Sequence, residues 1–335
     1  MTLRGANSFM YHQRGWTLSN CYIAGAEGQS GYNAIFSNAG ITAGAEYGFA
    51  NANEFIWGFC VKNDIIYDKI IWDAFFQGTS NLFASLKVNN DGSLAFLTTN
   101  RTIELGRSIP GMMASNIEHY IEVRIKTGTS TGQVEVRLNG DPTPILLLTG
   151  QNMGASDPYN KASLIGAPTG QRRFSAWYFV EVDATPPNTF LGHIRFGALT
   201  PNGNGASSQL VGSDGNSTDN YLLIDDGYDS DYDSTYVQSP TVGDKDTYAL
   251  PSLPSTPLAI VAVQSVIKAR KTDAGSRGIT PLLRSGGTDY QMATEHFLGT
   301  SHDTFTQFAL VDPATAAAWD AAGIAAMEVG MEVTT

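Results

Sequence analysis

The sequence predicts an all-β protein, in which an antiparallel β-sandwich is followed by a smaller β-rich unit with one short helix. Three observations support this fold class. Apolar and polar residues alternate with a period of two through much of residues 82–148, which is the pattern of strands that bury one face. The chain has 35 glycines, and they fall at turn positions between such runs. Helical spacing of apolar residues is almost absent from this part of the chain.

A tight hairpin is the first clear element. Residues 82–88 alternate in polarity, and Leu94 and Phe96 begin a returning strand. Between them, Asn89-Asn90-Asp91-Gly92 supplies residues that adopt the positive φ angles of a short turn. The segment therefore predicts two paired antiparallel strands.

A second hairpin follows with the same pattern. Residues 121–126 place apolar side chains on one face and charged side chains on the other, and the alternation resumes at 134–138 after a Gly/Ser/Thr turn. Similar patterns return at 176–182 and 192–196. Consecutive strands with one apolar and one wet face are typical of an antiparallel sheet that packs on a second layer.

Composition divides the chain into three segments. The sandwich is expected to span 1–205, an acidic Gly/Asp-rich connecting loop 206–246, and the smaller β-rich unit 247–335. The middle segment combines Gly-, Asn- and Ser-rich stretches with an acidic run at 225–233, which is typical of a surface loop.

The last segment combines further strand patterns with one helix. Strands are expected at 259–270, 278–284, 305–311 and 331–334. The helix is expected near 313–328, because this run is rich in alanine, Asp312 can cap it and Pro313 suits its first turn.

The net charge of -12 is concentrated at one end of the chain. Residues 1–200 hold 15 acids and 14 bases, whereas residues 201–335 hold 17 acids and 6 bases. This balance excludes a general nucleic-acid binder, since affinity for phosphates needs a cationic face. It also differs from a disordered acidic chain, because aromatic residues make up 10%.

No segment of the sequence predicts membrane insertion or a disulfide framework. No apolar run approaches the roughly 20 residues that span a bilayer, and the first residues lack the apolar region of a secretory signal. A soluble protein made in the cytoplasm is expected. The two cysteines, Cys21 and Cys60, lie among apolar neighbours; buried free thiols are favoured, and a single bridge remains open.

A search for catalytic patterns finds little. Glycoside hydrolysis needs two carboxylates flanking the scissile bond, and Glu181-Val182-Asp183 is the only good start of such a ladder. Pro186-Pro187 follows without a third acid, so solvent-facing carboxylates are favoured. No HExxH, Gly-x-Ser-x-Gly or Walker pattern occurs. We therefore expect no catalytic residues and no cofactor, and a protein that is not an enzyme.

Two further runs admit a binding interpretation. Asp229, Asp231 and Asp233 alternate along the acidic loop, and oxygen ligands of this kind suit Ca²⁺. Ser234 and Pro240 stand where an EF-hand needs Gly and Glu, so a simpler Ca²⁺ site or a solvated loop remains, with the solvated loop favoured. The run Trp177-Tyr178-Phe179 could stack on sugars, although core packing is favoured because alternate residues of a strand must face inward.

Several segments carry a resemblance to known families. The order of 55–59, 94–97, 119–125, 134–140 and 191–196 resembles laminin G-like or concanavalin A-like (jelly-roll) sandwiches. The chain is also similar to tailed-bacteriophage structural proteins that carry this sandwich, through Asp231-Tyr232-Asp233-Ser234-Thr235-Tyr236-Val237, 241–248, 284–290 and 312–319.

This resemblance implies a non-enzymatic virion component of the tail, neck, fibre or capsid decoration, assembled in the host cytoplasm. Its partners would be other virion structural proteins and, as a homo-oligomer, further copies of itself. The alternative is an adhesin of the virion that binds host-surface glycans, for which the sequence names no contacting residue. A glycan depolymerase is disfavoured by the missing acid ladder.

Overall fold

The computed structural model describes the backbone of 3–7, 16–19, 21–24, 34–37 and 44–335, apart from 67, 77–81, 155–157, 168–169, 184–185, 227–230 and 293–294, and side chains from residue 45 onward. The chain packs into two compact units, Met1–Phe196 and Gly197–Thr335.

The regular elements in the described part of the first unit are all strands. They are β1 (Leu3–Asn7), β2 (Trp16–Ser19), β3 (Cys21–Ala24), β4 (Ala34–Ser37), β5 (Gly44–Ala52), β6 (Glu54–Asn63), β7 (Lys69–Phe76), β8 (Leu82–Val88), β9 (Leu94–Thr98), β10 (Ile103–Arg107), β11 (Glu118–Lys126), β12 (Gly132–Leu138), β13 (Leu146–Gln151), β14 (Tyr159–Ile165) and β15 (Arg172–Glu181).

These strands form two antiparallel sheets. Sheet A has the order β13-β12-β11-β6-β15-β4-β3, with β1 paired to β15, and sheet B has the order β10-β9-β8-β7-β14-β5-β2. Apolar residues from both sheets join one buried cluster. The first unit is therefore an antiparallel β-sandwich, as the alternating sequence predicts.

Aromatic side chains fill the space between the sheets. Phe55, Trp57 and Phe59 alternate along β6 and are fully buried, and Trp57 stacks on Trp177 of β15 with ring centroids 5.5 Å apart. Burial of each large apolar side chain contributes about 1.5–3 kcal/mol. Because every second residue faces this core, the residues between them lie on the outer face of each sheet.

The second unit combines a sheet, two ribbons and a short helix. Its elements are β16 (Gly203–Ser208), β17 (Val211–Gly212), a 3₁₀ turn (Asn220–Leu223), β18 (Val237–Gln238), β19 (Lys245–Ala249), β20 (Val263–Ala269), β21 (Gly278–Ser285), β22 (Thr288–Gln291), β23 (His296–Phe297), β24 (Asp303–Ala309), α1 (Ala321–Ala326) and β25 (Glu328–Val333). The sheet has the order β16-β19-β25-β21-β22, with β23 paired to β21, and the ribbons are β17-β18 and β20-β24. The segment 206–246, for which a connecting loop is expected, lies within this unit.

Both predicted hairpins are confirmed. β8 pairs with β9 and β11 with β12 in the expected antiparallel register. Gly92 in the first turn has a φ of 76°, a conformation that glycine adopts without strain.

Two predicted elements are wrong in part. Residues 192–196 form no strand; they lie across the outer face of sheet A. The helix near 313–328 is only Ala321–Ala326, because the backbone folds into a turn at Asp312, whose carbonyl accepts from Ala316, and Ala316 has a φ of 58°. Asp320 caps the helix instead, accepting from the Gly323 N–H at 2.7 Å. In the described part of the chain, no helix is long and apolar enough to cross a membrane.

Candidate functional site: the outer faces of the sandwich

A row of polar residues crosses the outer face of sheet B. Glu46 of β5 lies opposite Ser163 of β14, Ser163 opposite Asp73 of β7, and Asp73 opposite Ser85 of β8. Directly opposed residues have Cβ atoms about 4.5–5.5 Å apart. The four side chains therefore form one continuous line across four neighbouring strands.

Asp73 is the centre of this row. Its carboxylate is fully buried, accepts from the Ser85 Oγ at 2.6 Å and is bound through both oxygens by the guanidinium of Arg101. Burial raises the pKa of Asp73 above its ordinary value, against the opposing effect of the hydrogen bonds from Arg101 and Ser85. The Arg101 side chain is 42% exposed, so it offers solvent a guanidinium that is fixed from below.

The turn that carries Arg101 is strained. Thr99, Asn100 and Arg101 have φ angles of 52°, 54° and 66°. This left-handed conformation costs a residue such as Thr99 or Arg101 about 1–2 kcal/mol, and asparagine less. The turn is tied to the sheet, since the Asn100 N–H donates to the carbonyl of Leu82 at 3.0 Å. Strain of this kind is often found at functional sites.

A second ion pair lies beside the first. The Lys161 Nζ contacts both oxygens of Glu46 at 3.2 and 3.3 Å and stands 4.4 Å from the centroid of the half-buried Phe75 ring. We call Glu46, Asp73, Phe75, Ser85, Arg101, Lys161 and Ser163 the sheet B row. Arg101, Lys161, Glu46 and Phe75 are exposed in part, whereas Asp73, Ser85 and Ser163 are buried.

The outer face of sheet A has a buried carboxylate as well, but it is covered. Glu122 of β11 is 1% exposed and accepts from the Tyr178 hydroxyl of β15. The Gly192 N–H donates to the same oxygen at 2.8 Å, and the Leu191 N–H donates to the Tyr178 hydroxyl at 3.2 Å. Burial raises the pKa of Glu122, and these hydrogen bonds oppose the rise.

The covering segment is residues 188–196, which we call the strap. The His193 ring stacks on Tyr120 with centroids 4.8 Å apart and an interplanar angle of 21°. The guanidinium carbon of Arg137 lies 3.8 Å from the centroid of the Phe190 ring. The strap thus makes polar and stacking contacts with the sheet beneath it.

The aromatic run of β15 divides between the two faces. Trp177 and Phe179 belong to the core of the sandwich, whereas Tyr178 lies on the outer face and is also fully buried. Core packing, the favoured interpretation, is confirmed for the first two. Glu181 is the last residue of the same strand and is half-buried, and Asp183, two residues beyond the strand, is exposed.

The predicted Ca²⁺ ligands stay a prediction. Asp231 accepts from the N–H and Oγ1 of Thr235 at 3.2 and 2.8 Å, and Asp233 contacts Arg270 at 3.0 Å and His302 at 3.4 Å. Asp229 lies outside the described residues. Within the described ranges, no group of three or more His, Cys, Asp or Glu residues could hold a metal ion.

The structure describes the side chain of one of the two cysteines. Cys60 is a buried free thiol, and burial raises its pKa to about 12. The side chain of Cys21 lies outside the described part.

Sequence reasoning missed the sheet B row. A signal was present at Asp73, which stands inside the apolar run Ile70-Ile71-Trp72-Asp73-Ala74-Phe75-Phe76. A charged residue within a buried strand is rare unless it is paired. Its partners come from distant segments, so the pattern alone does not name them.

Comparison with known proteins gives weak structural similarities only. No protein-family model matches the chain, and no curated protein matches it in sequence. Among solved structures, it is similar to alginate lyase vAL-1 from Chlorella virus, with 10% identity over 53% of this chain and 99% of that chain and a TM-score of 0.42. The chain is also similar to the cellulose induced protein Cip1, with 11% identity over 52% of this chain and 96% of that chain and a TM-score of 0.41. For the exoplasmic/lumenal domain of VIP36, in its Ca²⁺/Man3GlcNAc-bound form, the identity is 10% over 58% of this chain and 98% of that chain, and the TM-score is 0.39.

At these values the likeness is limited to the general type of fold, a lectin-like or jelly-roll-like sandwich. It corrects one expectation. The prediction that the chain is not an enzyme is contradicted, because the similar structures include an alginate lyase and a Trypanosoma rangeli sialidase. The sialidase matches with 14% identity over 50% of this chain and 27% of that chain and a TM-score of 0.37. This type of fold includes enzymes. None of these comparisons supports a bacteriophage origin, and the virion role remains a prediction.

Proposed function

We propose that the first unit binds glycans through the outer face of sheet B, with Arg101, Lys161 and Glu46 contacting sugar hydroxyls. One observation carries the proposal: the exposed guanidinium of Arg101 is held over the buried carboxylate of Asp73 by a strained turn. Arg101 pairs with Asp73, and its side chain is still 42% exposed and so accessible to a ligand.

The chemistry of the row matches the chemistry of sugars. A sugar hydroxyl both donates and accepts hydrogen bonds, so a protein that binds it must offer both functions side by side. The Glu46–Lys161 pair offers a carboxylate and an ammonium group within 3.3 Å of one another. The half-buried Phe75 ring beside Lys161 adds apolar surface next to these polar groups.

Rigidity strengthens the case. A flexible side chain loses about 0.5–1.5 kcal/mol of rotamer freedom when a ligand immobilises it. The Arg101 side chain is already fixed by Asp73, and Asp73 by Ser85 at 2.6 Å. A ligand on this face therefore meets groups that are ordered before it arrives.

The proposal concerns binding and takes up the adhesin alternative of the sequence analysis. Location on a virion and a host surface as the source of the glycan remain predictions that it does not need. A glycan that proves to bind should also be incubated with the protein and its products analysed, since the type of fold includes enzymes.

The test is a glycan array followed by calorimetric titration of the full chain with the tightest oligosaccharide found. Arg101→Ala should weaken binding about tenfold or more, equivalent to about 1.4 kcal/mol. Arg107→Ala is the matched control, because Arg107 is also exposed on sheet B and pairs with Glu104 at 2.6 Å, away from the row.

Two results would contradict the proposal. One is an array on which the folded wild-type chain binds no saccharide. The other is an equal loss of affinity in Arg101→Ala and Arg107→Ala. An Arg101→Lys variant keeps the charge beside Asp73 but removes the two-pronged donor, and its affinity should fall between wild type and Arg101→Ala.

A further inference from the structure

We infer that the strap occupies a second saccharide-binding site, on the outer face of sheet A, and that this site opens when the strap is released. The inference does not depend on the sheet B row, which lies on the other sheet.

The strap is bound to the sheet in the manner of a ligand. It forms no strand, and the N–H groups of Gly192 and Leu191 donate to the side chains of Glu122 and Tyr178. The His193 ring covers Tyr120. Because these contacts use side chains of the sheet, the strap could lift without breaking a backbone ladder.

One donor beneath the strap has no partner. The hydroxyl of Tyr120 is buried and has no hydrogen-bond partner in the described part of the chain. Tyr120 and Glu122 stand two residues apart on β11 and so lie on the same face of sheet A. Burial, and then the charges of Tyr178 and Glu122, raise the pKa of Tyr120. A buried polar group without a partner costs free energy, so the strap fills this site incompletely.

The unpaired hydroxyl favours a saccharide over a peptide as the occupant. A peptide, represented here by the strap, supplies N–H donors to Glu122 and a ring to Tyr120, yet leaves the Tyr120 hydroxyl unpaired. A sugar can stack its ring on Tyr120, donate to Glu122 and accept from Tyr120, because each hydroxyl both donates and accepts.

A reversible crosslink tests whether the strap must move. A Cβ on Gly140 would lie 3.1 Å from the Cβ of His193, a little closer than the separation of about 3.5–4.5 Å in a disulfide. Gly140 has a φ of 79°, so a cysteine there is strained, equally in both redox forms and in the single-variant control. Gly140→Cys combined with His193→Cys in the full chain should fix the strap when oxidised and free it when reduced. Cys60 does not interfere, since it is buried and its pKa is about 12. Gly140→Cys alone is the control.

The probe is an array of neutral and uronate-containing oligosaccharides. We expect the reduced double variant to bind at least one saccharide about tenfold more tightly than the oxidised form. His193→Ala, a change at an exposed residue, should likewise strengthen that binding over wild type. Adding Tyr120→Phe should remove the gain, whereas adding Arg101→Ala should leave it unchanged, which separates this site from the sheet B row.

The inference is overturned if oxidised and reduced forms bind equally and His193→Ala matches wild type. It is also overturned if Tyr120→Phe leaves the gain intact. A synthetic peptide of residues 188–196 that binds His193→Ala while no saccharide does would show that the site accepts peptide only, which is equally contrary to it.

Discussion

The two outer faces of the sandwich stabilise a buried carboxylate with different hydrogen-bond donors. Each buries one carboxylate and pairs it with a hydroxyl donor from another strand of the same sheet. Asp73 pairs with Ser85 of the adjacent β8 on sheet B, whereas Glu122 pairs with Tyr178 of β15, across β6, on sheet A. The remaining donor is the side chain of Arg101 on sheet B but the backbone of Gly192 on sheet A. A side-chain donor leaves a charged surface in contact with solvent, whereas a backbone donor covers the carboxylate with chain.

Replacing a glycine on each outer face by alanine should give the largest difference in the free energy of unfolding. A Cβ on Gly58 would lie 2.1 Å from the Tyr178 ring, whereas a Cβ on Gly48, on the outer face of sheet B, would meet nothing within 4 Å. Gly58→Ala should lower the free energy of unfolding by about 3 kcal/mol, and Gly48→Ala should change it by no more than about 0.5 kcal/mol. Urea titration measures both. Similar losses in the two variants would show that the faces are equally open.

Removal of the hydroxyl donors should give the next largest contrast. Tyr178→Phe takes the hydroxyl from a carboxylate that has only backbone donors beside it, and should cost about 2 kcal/mol. Ser85→Ala leaves Asp73 with Arg101, and should cost about 1 kcal/mol. The reverse order in urea titrations would mean that Arg101 contributes little to holding Asp73.

The titration of Glu122, on the covered outer face of sheet A, should change the free energy of unfolding with pH by less than the substitutions above. Burial raises the pKa of Glu122 above the ordinary 4.5, so between pH 4.5 and the folded-state value the folded chain binds more protons than the unfolded chain. The free energy of unfolding therefore falls as pH rises through this window. Glu122→Gln should make the fall shallower, since glutamine does not titrate. An unchanged or steeper fall in melts from pH 4 to 8 would contradict this account.

The fold could be predicted from the sequence because burial of one face of a strand imposes a two-residue alternation of apolar and polar side chains. Residues 121–126 alternate since every second side chain must enter the core, and β11 appears where that alternation does. The strap was mistaken for a strand for a related reason. Residues 192–196 alternate in polarity as a strand does, but they lie on the outer face of sheet A and pair with no strand.

The site could not be predicted in the same way. Glu46, Asp73, Ser85 and Ser163 lie in one row only because four strands from distant parts of the chain pair in a particular register. A shift of one residue in any strand would turn its member toward the core. Arg101 reaches the row through a left-handed turn of three residues, none of which is glycine, so Asn100 was the one turn-forming residue that marked it.

Hydrogen exchange of the full chain, with and without the tightest oligosaccharide, tests the central claim most directly. If glycan binds the sheet B row, exchange should slow in the 99–102 turn and in β14, while the amides of Leu191 and Gly192 in the strap keep their rates. Saturating glycan that leaves the turn and β14 unprotected, or protects other segments in their place, would contradict the account.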